Sequence, residues 1–99
     1  MVRHIVWWTI KPEAAGKKAE ENIAFLLDAA KILNNVESAL SVEISSNIHN
    51  ATLPCQLILT TTHQSLDKLD EYQKDPIHVK FAENLKLMAA SRNCIDFIY

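Results

Sequence analysis

Val2-Arg3-His4-Ile5-Val6-Trp7-Trp8-Thr9-Ile10, at the head of a 99-residue chain, is dense in β-branched and aromatic side chains and stops at Lys11-Pro12, where proline removes a ladder donor. The stretch reads as a strand. Side chains alternate across a strand, so Val6, Trp8 and Ile10 face one way and Ile5 and Trp7 the other. Both faces are apolar, and such a strand is covered on two sides. Helices of the same chain supply one cover; a second subunit is expected to supply the other.

Outward from this strand the pattern changes period. From Glu13 to Leu33 apolar residues recur at Ala19, Ile23, Leu26, Ala30 and Leu33, which predicts one amphipathic helix ending at Asn34-Asn35. Residues 36 to 46 alternate with period two, a half-exposed second strand. Asn47 to Pro54 carries loop residues, and Cys55 to His63 returns as a Leu, Ile and Thr-rich strand, the second arm of a hairpin. Ser65 suits the N-cap of a short helix through about Lys74. At Asp75-Pro76 the helix is expected to kink and restart, since Asp suits the cap and Pro the first helical position. Ile77, Phe81, Leu85 and Met88 continue at helical spacing, and Arg92 to Tyr99 closes the chain as a last strand.

The order is β-α-β-β-α-β. That is the α+β, ferredoxin-like arrangement, with two helices on one face of a four-stranded antiparallel sheet and the other face bare. A single domain over residues 1–99 is expected, because no linker divides the chain. A monomer of this size buries roughly two-thirds of the surface its unfolded chain exposes, and 48% of these residues are hydrophobic. The surplus, with the two-sided first strand, predicts a homodimer pairing sheet to sheet.

Ten Lys and Arg against twelve Asp and Glu give a net charge of -2 without a run of either sign, which speaks against nucleic acid as a partner. No stretch has the roughly 20 apolar residues of a membrane span, and Met1-Val2-Arg3-His4 does not read as a signal peptide, so a cytoplasmic location is expected. Cys55 and Cys94 lack metal-site spacing and are expected to be small buried hydrophobes without a disulfide. The single glycine, Gly16, leaves no glycine-cradled nucleotide site.

His78 is the first candidate for chemistry. It lies on the stripe of Phe81 and Leu85, three residues after the Asp75 cap, where burial and the positive end of the helix dipole both disfavour the imidazolium. A neutral His78 can accept a proton near pH 7; it can equally be a core-edge histidine holding the kink. Tyr72, just before the kink, can offer its hydroxyl to a substrate oxygen, or simply pack with that hydroxyl in water. His4 begins the first strand and His63 ends the third, which are antiparallel neighbours, so His4, His63, Tyr72 and His78 are expected to converge at one end of the sheet. No local two-His spacing supports a metal site there. His49, in the hairpin loop, is expected in solvent. Trp7 and Trp8 should fill opposite faces, one at the dimer interface and one under the helices.

Val2-Arg3-His4-Ile5-Val6, Gln56-Leu57-Ile58-Leu59-Thr60, Tyr72-Gln73-Lys74-Asp75-Pro76-Ile77-His78 and Arg92-Asn93-Cys94-Ile95-Asp96-Phe97 together resemble the stress-responsive dimeric α/β barrel domains, which are similar in fold to the antibiotic-biosynthesis monooxygenases. The Tyr-x-x-x-Asp-Pro-x-His stretch is the more specific of these. Most members have no assigned activity. One, a plant polyketide cyclase, uses matching Tyr and His positions as an acid-base pair beside a hydrophobic pocket, and the resemblance implies that role for Tyr72 and His78. Ser45-Ser46 stands where a glycine often follows the second strand, and the bulky Trp7-Trp8 pair is a second departure; either can reshape the pocket.

Three functions follow as expectations. One is a non-catalytic dimer that binds a small hydrophobic ligand or serves stress tolerance. Another is a cofactor-free acid-base enzyme acting next to a carbonyl, with His78 as base and Tyr72 and His4 as donors. The third is oxygen or haem chemistry with His78 as iron ligand.

Overall fold

The computed structural model describes residues 1–99. Strands β1 (Val2–Ile10), β4 (Ser41–Ser45), β5 (Leu57–His63) and β6 (Ala89–Ile98) form one antiparallel sheet in the order β4-β5-β1-β6. Helices α1 (Ala19–Ala29), α2 (Leu66–Lys74) and α3 (Pro76–Met88) cover one face. The ferredoxin-like architecture is the one expected, with its second helical segment divided in two.

Alternation in β1 is strict. Val2, His4, Val6, Trp8 and Ile10 are buried under the helices, while Arg3, Ile5, Trp7 and Thr9 lie half-buried on the opposite face. β5 repeats the pattern, burying Leu57, Leu59, Thr61 and His63. Leu26, Leu33, Leu69, Phe81, Leu85 and Met88 close the core from the helical layer. On the other face Trp7, Ile58 and Ile95 meet residues of the loop after β4, around Leu53, with no helix above them.

Four boundaries differ from the sequence expectation. Residues 13 to 18 are not helical: Glu13–Ala14 (β2) and Lys17–Lys18 (β3) form a small hairpin turning at Ala15 and Gly16, whose φ values of 53° and 75° break the helical path. The buried Asn22 side chain donates to the Ala14 carbonyl at 2.9 Å and fastens this hairpin to α1. Residues 30 to 35 tighten into a 3-10 turn, with the Asn34 side chain bonded back to the Lys31 carbonyl at 3.1 Å. The second strand starts at Ser41 rather than at 36, because Val36 is drawn into the core and Ala39 closes a turn onto its carbonyl at 3.1 Å. The last strand begins at Ala89, directly from α3.

Between α2 and α3 the chain breaks outright instead of kinking. Asp75 is extended, as the residue before a proline prefers, and its carboxylate accepts from the Ile77 amide at 2.8 Å. Ser65 caps α2 by accepting from the Lys68 amide at 3.2 Å. The cysteine expectation is corrected: Cys55 is half-buried and Cys94 exposed, since β6 is an edge strand that the helices leave largely uncovered.

Candidate functional site

The break at Asp75-Pro76 builds the site. A helix end leaves its last carbonyls without intrahelical partners, and the Gln73 carbonyl of α2 is one of them. His78, in the first turn of α3, donates to it from Nδ1 at 3.1 Å. A carbonyl only accepts, so the proton sits on Nδ1 and Nε2 keeps its lone pair. Burial pushes the His78 pKa below the ordinary histidine value; the nearby charges of His4 and Arg92 act in the same direction, against the Gln73 hydrogen bond and Asp75. The ring is therefore neutral at pH 7.

The four residues expected to converge do so around one ring. Tyr72 has its centroid 4.6 Å from His78, 5.0 Å from His63 and 6.5 Å from His4. Their states differ. His63 is wholly buried, donates from Nδ1 to the Ser38 carbonyl at 2.8 Å and accepts at Nε2 from the Thr61 hydroxyl at 2.8 Å. Both nitrogens are spent, and burial lowers its pKa too. His4, 3% exposed, bonds through Nδ1 to the Asp96 carboxylate on the neighbouring strand, which leaves Nε2 without a partner in the chain. Tyr72 exposes no surface, its hydroxyl has no hydrogen-bond partner, and burial pushes the phenol above its ordinary range. The hydroxyl expected to meet either a substrate or water is enclosed instead.

A cleft of about 360 Å³ opens between α3 and the β1–β6 edge. Its floor is His4, Val6 and Trp8 of β1 with Leu59 of β5. Its α3 wall is His78, Phe81, Ala82, Leu85 and Lys86, and its β6 rim is Ser91 and Arg92. Trp8 lies under the helices, as one of the two tryptophans was expected to, and forms part of the cleft floor; the small side chains of Ala82, Ala89 and Ala90 line the space beside it. His49 lies exposed in its loop, away from the cleft. Asp96, Arg92 and Lys86 belong to this site and went unnoticed in the sequence. Register is the signal that finds the first two: β6 runs antiparallel to β1, which puts Asp96 beside His4 and Arg92 beside Trp8 on the helix-covered face.

The model of the stress responsive A/B barrel domain matches residues 2–99. The chain belongs to that family. Solved structures of the same fold include a dimeric protein of unknown function and ferredoxin-like fold from Bacteroides fragilis, with a TM-score of 0.81 at 20% identity, over 99% of this chain and 95% of that one. A family protein with a ferredoxin-like fold from Mesorhizobium loti gives 0.77 at 23% identity over 99% and 95% of the two chains. A hydroxynitrile lyase from Passiflora edulis gives 0.80 at 14% identity over 99% and 92%. No curated protein matches the sequence. At these identities the likeness shows the family's fold and leaves the activity to the residues of the cleft. No helix of the chain is long and apolar enough to cross a membrane.

Proposed function

We propose that this family member is a cytoplasmic homodimer of 1–99 domains whose cleft takes a small, largely apolar molecule, and that His78 serves there as a cofactor-free general base next to a carbonyl. The observation that carries the reading is the state of His78. Its Nδ1 is anchored to Gln73, its Nε2 lone pair is free, and its pKa lies on the low side, the combination a base needs near neutrality. The cleft volume falls at the small end of the range for ligand sites, about 300–1,000 Å³, which favours a compact substrate over a porphyrin.

The other residues take supporting roles. Tyr72, enclosed behind His78, positions the imidazole rather than donating to the ligand. His4, oriented by Asp96, provides the second proton-handling nitrogen from the floor. Pairing through the bare sheet face is supported by half-buried Ile5 and Trp7 and by Ile95, 51% exposed, a patch of the kind that marks an interface. The Bacteroides fragilis protein of the same fold is itself dimeric.

The test needs no known substrate. A panel of small aryl and alkyl ketones and esters in D2O is followed by NMR for exchange of the proton next to the carbonyl. We expect exchange of at least one compound, reduced about 10²- to 10⁴-fold in His78→Ala, the usual contribution of a positioned base. Full exchange in His78→Ala would remove His78 as the base, and binding without any exchange would leave a binding protein.

A further inference from the structure

The cleft carries cations and no free acid. Arg92, on β6, sits opposite Trp8 in the ladder and so projects over the same face as the floor. Lys86 lies two turns after His78 along α3, on the facing wall. Neither forms an ion pair within the chain; the ion pairs are His4–Asp96, Lys31–Asp28, Lys68–Glu71 and Lys74–Asp70. None of the residues lining the cleft is acidic. Asp96, the nearest carboxylate along β6, is held by His4. Two unpaired cations, Arg92 on the rim and Lys86 on the α3 wall, beside the apolar floor residues Val6, Trp8 and Leu59 and the wall residue Phe81 are complementary to one class of molecule.

From this juxtaposition we infer that the ligand of the cleft is an amphipathic carboxylate, its apolar body between Trp8 on the floor and Phe81 on the wall and its carboxylate held between Arg92 and Lys86. This rests on the cleft being a ligand site and adds the charge of what it takes. The arginine fork can pair a carboxylate through two parallel N–H···O bonds, and lysine adds a point charge from the opposite wall. Volume limits the body to a single aromatic ring or a medium alkyl chain.

Isosteric probes test it. Binding of octanoate, 1-octanol and octylamine to the intact protein is measured by calorimetry and by chemical-shift changes of the cleft residues. We expect octanoate to bind about tenfold or more tightly than 1-octanol, as a charge-assisted contact gives, and octylamine most weakly. The preference should fall to near unity in the Arg92→Gln/Lys86→Gln protein, which keeps the fold because both side chains are exposed. Equal binding of acid and alcohol would overturn the carboxylate assignment while leaving the cleft as a ligand site. Failure of all three to perturb the cleft would overturn the ligand site itself.

Discussion

His63 and His78 sit against the same tyrosine ring and both donate from Nδ1 to a backbone carbonyl, yet one belongs to the closed corner of the molecule and the other to its open cleft. His63 is wholly buried and the Thr61 hydroxyl occupies its Nε2. His78 is half-buried and its Nε2 is free on the cleft wall. On the proposed reading, what separates the structural histidine from the reactive one is the Thr61 hydroxyl at Nε2 and access to the cleft. Burial lowers both pKa values, so the shift by itself does not tell the two roles apart.

The comparison breaks first on stability. His63→Ala leaves the buried Thr61 hydroxyl and the half-buried Ser38 carbonyl without their partner and opens a void, so urea denaturation should show a loss of about 2–4 kcal/mol. His78→Ala removes a half-buried side chain and should cost no more than about 1 kcal/mol. A His78 loss equal to that of His63 would mean that His78 also serves to hold the corner.

Acid should weaken the fold in a defined sense. Unfolded histidines take up protons near pH 6.5, whereas His63 and His78 in the folded chain resist until lower pH. The unfolded state therefore binds more protons in that interval, and stability is complete above about pH 6.5 and is lost as pH falls through the window below it. Unfolding midpoints between pH 7.5 and 5 check this, and the acid loss should shrink in His78→Gln. A midpoint unchanged across that range would place both histidines in their ordinary state.

The smallest effect sharpens the account of the tyrosine between them. Tyr72→Phe deletes a buried hydroxyl that has no partner, so the variant should be neutral or more stable, by up to about 1 kcal/mol in thermal unfolding. A clear loss would show that the hydroxyl bonds one of the three imidazoles.

Much of this contrast was legible in the residues. Strict alternation in Val2–Ile10 announced a two-faced strand, Ser65 and Asp75-Pro76 marked the helix starts, and antiparallel neighbours brought His4 and His63 towards Tyr72 and His78. These are local signals, or follow from topology alone. The hairpin at Glu13–Lys18 was hidden because its apolar spacing continues that of α1, and only the positive φ at Ala15 and Gly16 separates them. The His4–Asp96 pair, the Arg92 rim and the exposure of Cys94 depend on how β6 registers against β1, which no spacing within either strand encodes. The enclosure of the Tyr72 hydroxyl depends on packing from two helices and the sheet together.

The most direct test of the central claim is the protonation state of the histidines, read from long-range 15N–1H correlation NMR across pH 5 to 8. We expect a neutral, Nδ1-protonated His78 at pH 7 whose Nε2 signal moves when a cleft ligand is added, beside a His63 of the same tautomer that does not respond. A His78 that is charged at pH 7, or that carries its proton on Nε2, would contradict it.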